Sequence, residues 1–105
     1  MSSISVLIPA YNEEHSLESS VKQTLKTFKK FKFDFEIIII DDYSEDHTWD
    51  IAVQLSDQSP RIQAVRLERH QGQGDAFRKG IMSATKEFVI FVPVDNPMDT
   101  DDKEA

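Results

Sequence analysis

Cysteine is absent from this 105-residue chain, which excludes disulfide bridges, cysteine-based zinc sites and thiol nucleophiles together. Long hydrophobic runs are absent too: no segment approaches the roughly 20 apolar residues that span a bilayer, and no basic, apolar leader opens the chain. Positive charge is in deficit, with 12 Lys and Arg against 19 Asp and Glu and a net charge of -7. This balance disfavours nucleic-acid binding through bulk charge, and we expect a cytoplasmic protein without a transmembrane segment.

The apolar content of the chain is sufficient for one core. Hydrophobic residues make up 39% of the sequence and include seven Phe and one Trp, which is unlike the composition of disordered chains. A chain of this length accommodates a single domain. We predict one folded unit over residues 1–98, followed by an acidic, disordered tail over residues 99–105.

Strand-like and helix-like segments alternate along the chain. Apolar residues recur at helical spacing between the strand-like runs, for example at Leu17, Val21 and Leu25, and one run contains the four consecutive isoleucines 37–40. The strand-like runs cover residues 4–10, 34–41, 62–67 and 88–94. This βαβαβαβ order predicts an α/β fold with a Rossmann-like, doubly wound and mostly parallel sheet, in which the isoleucine strand is central.

Ligands of such sheets bind beyond the carboxyl ends of the strands, so the residues after each strand are the candidates for a site. After the first strand, Asn12 is a candidate helix N-cap with Glu13 in the first helical turn, and Tyr11 either packs on the sheet or stacks on a base. After the second strand, Asp41 and Asp42 point in opposite directions, and we assign Asp42 to the crevice. The alternative is that the aspartates of this segment cap the next helix.

The third strand end lies in a cationic segment. Five Arg and Lys side chains face two acidic ones between residues 61 and 79, and Gly72 and Gly74 permit close approach of the backbone to an anion. The N-terminus of the next helix adds free N–H groups, although a solvated loop with flexible glycines is an equal alternative. A dinucleotide fingerprint does not fit, because Phe77 stands where the third glycine belongs, and the chain has no P-loop.

The fourth strand end presents oxygen ligands. Asp95, with Asn96 beside it, suits a hard cation such as Mg²⁺ or Mn²⁺, and a net-negative protein that binds a diphosphate needs such a bridge. The alternative is a chain reversal, since the run from Asp95 to Pro97 has the composition of a turn.

Four segments in fixed order carry a resemblance that none of them carries alone. They are PAYNEE, DDYSEDHT, RLERHQGQG and PVD, each at the end of a strand-like run. The chain resembles the nucleotide-sugar-binding N-terminal half of family 2 glycosyltransferases, which are inverting enzymes of the GT-A fold. Within that family it is most similar to dolichol-phosphate and polyprenyl-phosphate mannosyl- and glucosyltransferases. The resemblance runs from Ile4 to about Asp99.

The resemblance implies a role for residues of each segment. The implied nucleotide-sugar-binding residues are Pro9, Tyr11, Asn12, Glu13, Asp42, Arg69, Gly72 and Gly74. The first four match the family's PxYNE segment and imply contacts to the nucleoside. Asp42 matches its DDxSxDxT segment and implies a contact to the base, and the last three match a basic and glycine stretch near the ribose.

The family's Asp-x-Asp metal motif falls on Pro93, Val94 and Asp95. Proline has no side-chain ligand, so binding of Mg²⁺ or Mn²⁺ depends on Asp95. The implied reaction is displacement at the anomeric carbon of a UDP- or GDP-linked sugar by an acceptor hydroxyl or lipid phosphate, while the cation stabilises the leaving diphosphate.

The family's second half, which contains the acceptor site, does not match any part of this chain. We therefore expect a donor-binding fragment with no catalytic residue of its own and little or no transfer activity, whose longer form is peripheral at a membrane. An open sheet edge also allows a homo-oligomer.

Two other functions compete with sugar transfer. A non-catalytic nucleotide-binding or interaction module is favoured by Pro93 and by the short chain. A phospho-acceptor receiver domain is a small doubly wound domain as well, but its acidic pair ends the first strand and a Lys ends the last. Here Asp41 and Asp42 end the second strand, which argues against a receiver.

Overall fold

A computed structural model describes residues 2–94. Strands and helices alternate in these residues and confirm the predicted βαβαβαβ order. The elements are β1 (Ser3–Ala10), α1 (Leu17–Lys30), β2 (Asp34–Asp41), α2 (Thr48–Gln58), β3 (Ile62–Arg66), α3 (Gln73–Ser83) and β4 (Phe88–Phe91). The predicted domain boundary at residue 98 and the predicted tail over residues 99–105 lie outside the described residues.

The sheet has the strand order β3-β2-β1-β4, and every neighbouring pair is parallel. β1 and β2 are the interior strands, so helices cover both of their faces. The isoleucines 37–40 of β2 are fully buried, as are Val6, Leu7 and Ile8 of β1. An unbroken apolar run with no polar alternation is what a strand covered on both faces requires, and the predicted central position of β2 is confirmed.

The two faces of the sheet carry different helices. Leu17 and Val21 of α1 pack with Ala52 and Leu55 of α2 on one face. On the other face α3 lies close to the sheet: a Cβ atom at Gly80 would come within 2.9 Å of the Cδ1 atoms of Ile40 and Leu7. A side chain at Gly80 would therefore require the ends of these two side chains, or α3 itself, to shift.

β4 is an edge strand and is shorter than predicted. The N–H of Val92 still donates to the carbonyl oxygen of Leu7 at 3.0 Å, but Pro93 has no N–H to continue the ladder. The side chains of Phe88 and Ile90 are 52% and 36% exposed. The pairing of this edge with another copy of the chain stays a prediction.

No helix within residues 2–94 combines the length and the apolar character that crossing a bilayer demands.

Candidate functional site

A cleft of about 370 Å³ lies at the carboxyl ends of the strands. All four strands are parallel, so the loops that follow them begin at the same edge of the sheet. We call this space the strand-end cleft. Its lining includes Pro9, Tyr11, Glu13, Asp42, His70 and Gly72. The loops after β1, β2 and β3 therefore meet at one place.

Asp42 lies at the base of the loop after β3 and is only 5% exposed. Its Oδ1 accepts the N–H of Gln71 at 2.8 Å, and its Oδ2 accepts the N–H of Gly72 at 3.0 Å. The Nδ1 atom of His70 lies 2.9 Å from the same Oδ2. The carboxylate thus fixes the backbone of residues 70–72 and still has acceptor capacity, since a carboxylate offers about four lone-pair positions.

Asp41 points the other way, into the protein, and its side chain is fully buried. It accepts the N–H and the hydroxyl of Ser44, the latter at 2.5 Å, and the Nε of Arg66 lies 3.0 Å away. The guanidinium of Arg66 also donates to the carbonyl oxygen of Ser44 and lies over the ring of Tyr43. Asp41 therefore fixes the turn after β2 and does not cap α2.

The loop after β1 (residues 11–14) is joined by hydrogen bonds to the loop after β2 and the first residue of α2 (residues 43–48), and we call these two segments the loop pair. The N–H of Asn12 donates to the hydroxyl of Ser44 at 2.8 Å, and its side-chain oxygen accepts the N–H of Glu45 at 2.9 Å. The N–H of Glu13 donates to the hydroxyl of Thr48 at 2.7 Å. These contacts give the two loops one fixed geometry.

The prediction that Asn12 caps α1 is wrong, because α1 begins only at Leu17. Asn12 adopts a φ of 52°, a left-handed conformation that Asn tolerates better than most residues, and its side chain bonds to the second loop instead. Glu13 and Glu14 consequently lie in the loop rather than in the first turn of a helix. The backbone N–H groups of Asn12, Glu13 and Glu14, which would be free at a helix N-terminus, donate to residues across the loop pair instead.

Asp46 accepts a hydrogen bond from the first residue of α2. Its Oδ1 accepts the N–H of Thr48 at 2.9 Å, and its Oδ2 accepts the N–H of Glu14 at 3.2 Å. Burial opposes ionisation of Asp46, but these hydrogen bonds outweigh it and lower the pKa of its carboxyl. For Glu13, burial and the charge of Asp46 act in the same direction and raise the pKa.

Tyr11 and His70 form an aromatic pair in the strand-end cleft. Their ring centroids are 4.1 Å apart with an interplanar angle of 23°. His70 was not among the predicted site residues, although it lies inside the RLERHQGQG segment. The available signals are its aromatic ring and its position in the loop after β3, whereas the family motif includes its neighbour Arg69. Arg69 is exposed and does not line the cleft.

α3 begins at the cleft. Gly72 is its N-cap residue and has a φ of 94°, a backbone conformation that is strained for residues other than glycine. Gln73 and Ala76 of the first turn line the cleft. The first N–H groups of the helix therefore open near the space beside Asp42, whereas Gly74 lies on the helix without lining the cleft.

Three of the predicted binding residues lie outside the cleft lining: Asn12, Arg69 and Gly74. The predicted cationic corner is also weaker than its sequence suggested. Arg66 is paired with Asp41, and Arg78 lies 3.2 Å from Asp75. Arg61 precedes β3 and so lies at the amino end of the sheet. Charge counted along the sequence overstated the positive charge available to a ligand.

The predicted metal ligand Asp95 lies outside the described residues. Pro93 and Val94, which precede it in the chain, line the strand-end cleft. Within the part of the chain that the structure describes, no group of three His, Cys, Asp or Glu side chains is arranged to hold a metal ion.

A second groove, of about 250 Å³, lies along α1 and is lined by residues that include Thr24, Phe28 and Pro93. Among the described residues, 2–94, no charged side chain lines it. Because it offers neither a carboxylate nor a cation to a ligand, the strand-end cleft is the stronger candidate site.

Comparison with known proteins places these features in a context. The sequence matches the family model described as Glycosyl transferase family 2 over residues 5–104. It is 33% identical over 99 residues to a dolichyl-phosphate beta-glucosyltransferase of Dictyostelium discoideum, an alignment that covers 88% of this chain and 30% of that protein. The chain spans about 30% of the length of the curated relatives it matches.

Two solved structures share the fold. Residues 1–349 of TarS from S. aureus, in complex with UDP-GlcNAc, superpose with a TM-score of 0.68 at 28% identity, covering 97% of this chain and 30% of that one. The mannosyltransferase PcManGT from Pyrobaculum calidifontis, in complex with GDP-Man and Mn²⁺, superposes with a TM-score of 0.73 at 22% identity. That alignment covers 88% of this chain and 27% of the other. The predicted GT-A architecture is confirmed.

Proposed function

The chain belongs to glycosyl transferase family 2, and from that premise we propose that its strand-end cleft binds the nucleoside diphosphate of a sugar donor. The observation that carries the proposal is the convergence of Tyr11, Asp42 and Gly72 on one cleft from three different loops. An aromatic ring, a carboxylate acceptor and the backbone at a helix N-terminus are the groups that a base, its N–H donors and a diphosphate require.

In this proposal the base lies against Tyr11 and donates to Asp42. Asp42 is 5% exposed, and its carboxylate is fixed by two backbone N–H groups, so the carboxylate itself need not move to accept a hydrogen bond. Glu13 and Pro9 line the same cleft on the side of β1 and are assigned to the nucleoside. The UDP-GlcNAc complex of TarS, at 28% identity, supports a nucleotide-sugar ligand.

The diphosphate is assigned to the start of α3. The N–H groups of its first turn and the partial positive charge of the helix N-terminus favour an anion there. Gly74 and Arg69 do not line the cleft, so their assignment to the ligand rests on the family motif.

A divalent cation, Mg²⁺ or Mn²⁺, completes the proposed donor site. Asp95 would hold it, since it is the carboxylate of the metal motif and directly follows two residues that line the cleft. When bound, such an ion stabilises the negative charge of the leaving diphosphate. The Pyrobaculum mannosyltransferase is in complex with Mn²⁺, but at 22% identity its likeness to this chain concerns the fold alone.

The curated relatives are about three times as long as this chain. For a protein of that length, we propose transfer of the sugar to a polyprenyl phosphate. The bond from the anomeric carbon to the diphosphate breaks, and a bond to the acceptor oxygen forms. A phosphate acceptor is already ionised and needs little base catalysis, and a lipid acceptor implies peripheral association with a membrane. The described residues supply the donor side, so we expect the 105-residue chain to bind donor with little or no transfer.

Calorimetric titration with UDP, GDP and their sugar conjugates, with and without Mn²⁺, tests the donor site. Tyr11→Ala should weaken nucleotide binding at least about fivefold, because a base loses a stacking surface. Phe31→Ala is the control for loss of an aromatic ring, since Phe31 is 54% exposed and does not line the cleft. Asp95→Ala should abolish the dependence on Mn²⁺. A folded chain that binds none of these ligands would overturn the proposal.

A second candidate function is nucleotide binding without transfer. Pro93 favours it, because this residue replaces a carboxylate of the metal motif and supplies no ligand. Nucleotide binding that ignores both Mn²⁺ and the Asp95→Ala substitution would support this candidate over the transferase.

A further inference from the structure

His70 lies in the strand-end cleft and contacts two residues of the proposed donor site there. Its ring is stacked on Tyr11 with centroids 4.1 Å apart, and its Nδ1 lies 2.9 Å from Oδ2 of Asp42. Nδ1 also lies 3.4 Å from the backbone carbonyl oxygen of Asp42, and because the carboxylate and the carbonyl are both acceptors, Nδ1 carries the hydrogen. The ring of His70 thus covers the aromatic face of Tyr11 and contacts the carboxylate of Asp42 at the same time.

A nucleobase bound as proposed would use the same two groups. Uracil and guanine are flat rings with ring N–H donors, and the imidazole of His70 has both features on a smaller scale. The base cannot enter between the two rings as they stand. A ring placed between Tyr11 and His70 would need them about 7 Å apart, because each contact requires about 3.5 Å.

We propose that His70 occupies the base position in the ligand-free chain and that the base displaces it from Tyr11 and Asp42. This inference rests on the proposed donor site. The exchange replaces one stacked ring and one N–H donor by another pair of the same kind. Asp42 keeps the N–H groups of Gln71 and Gly72 throughout, so no buried charge loses all of its partners.

The displaced ring has somewhere to go. The side chain of His70 is already 53% exposed, so turning it into water buries no new polar group and exposes little additional surface. The backbone next to it is fixed to Asp42 through Gln71 and Gly72 and need not move. His70 therefore lowers the affinity for donor, and a ligand that has no base leaves the ring of His70 in place.

Titration of UDP and GDP into the full chain and its variants tests the competition. His70→Ala should bind the nucleotides about two- to tenfold more tightly than the wild type, since the lost aromatic pair no longer opposes the base. His70→Asn, which keeps an N–H donor without a ring, should show a smaller gain. His15→Ala is the matched control, because the side chain of His15 is 92% exposed and does not line the cleft.

Nuclear Overhauser effects between the two rings give a readout that a merely structural role of His70 would not change. We expect cross-peaks between Tyr11 and His70 in the free chain and with inorganic pyrophosphate added. Saturating UDP should remove them and produce cross-peaks between Tyr11 and the base protons.

The outcomes separate this inference from the proposed function. UDP binding with unchanged or weaker affinity in His70→Ala, or with the Tyr11–His70 cross-peaks still present, overturns the displacement and leaves the donor site standing. Absence of nucleotide binding in the folded wild type and in His70→Ala alike overturns the proposed function, and the displacement with it.

Discussion

The loop pair and the strand-end cleft lie side by side at the carboxyl edge of the sheet, yet their polar groups have different partners. In the loop pair, Asn12, Ser44 and Thr48 bond to residues of the opposite loop. In the cleft, Tyr11 and Asp42 both contact the exposed side chain of His70. Neighbouring residues of the same sequence segments thus belong to two regions, one closed on itself and one facing solvent.

The difference teaches that a polar residue after a strand is not for that reason a ligand residue. Asp41 and Asp42 are both nearly inaccessible, at 0% and 5%, but the first is satisfied by Ser44 and Arg66 inside the protein. The second lines the cleft. We infer that the loop pair gives Tyr11 and Asp42 a fixed separation, which lets a base contact both without reordering the loops.

The largest effect that would sharpen this comparison is expected for Asp41→Ala. Removing this buried carboxylate leaves the Nε of Arg66 and the N–H of Ser44 without their acceptor, so the free energy of unfolding should fall by about 3 kcal/mol. Urea unfolding followed by circular dichroism measures it. Asp57→Ala, at an exposed position of α2, is the control and should change the value by less than about 0.5 kcal/mol.

The comparison would break if Asp41→Ala unfolded like the wild type while losing nucleotide affinity, because Asp41 would then act on the ligand. In the folded variant we expect the affinity for UDP to change less than it does in Tyr11→Ala.

The fold was accessible from the sequence because its signals are local. An unbroken isoleucine run of buried strand type, helical spacing at Leu17 and Val21, and alternation of the two along the chain are sufficient to predict a parallel α/β sheet. Strand ends were less accessible. β4 stops at Phe91 because Pro93 interrupts its hydrogen bonds, and apolar composition alone does not report that.

The site was accessible only in part, because contacts between loops do not follow from spacing. Asp42 was assigned to the crevice from strand alternation, and the structure places it in the cleft lining. Asn12 looked like a helix cap, but its partners, Ser44 and Glu45, lie more than 30 residues away in the chain. The role of His70 cannot be predicted from the sequence for the same reason, since its stacking on Tyr11 depends on contact between two loops.

A smaller effect on stability is expected for Thr48→Val, which tests the loop pair directly. Thr48 is fully buried, and its hydroxyl accepts the N–H of Glu13 and donates to Asp46. Valine keeps the shape and removes both bonds, so urea unfolding should show a loss of about 1–2 kcal/mol. Thr27→Val, on the exposed side of α1, should stay near the wild type. Equal losses in the two variants would mean that the hydroxyl contact does not fix the loops.

The smallest expected effect is a pH dependence carried by Asp46 in the loop pair. Burial alone would raise its pKa, but hydrogen bonds from Thr48 and from the N–H of Glu14 lower the pKa below the ordinary 3.8. A carboxyl with a lower pKa in the folded state stabilises the fold fully above the unfolded value, and this contribution disappears as pH falls through the folded value. Asp46→Asn should therefore be less stable than the wild type at pH 7, and the difference should shrink below about pH 3.8.

Glu13 acts in the opposite sense, because its raised pKa makes the folded state bind a proton more tightly, and losing the charge of Asp46 removes part of that shift. Urea unfolding of both proteins at pH 7, 5 and 3 measures the trend, with Asp57→Asn as the variant that removes a negative charge without touching these hydrogen bonds. A stability difference that stayed constant over this range would show that the lowered pKa of Asp46 does not contribute to stability.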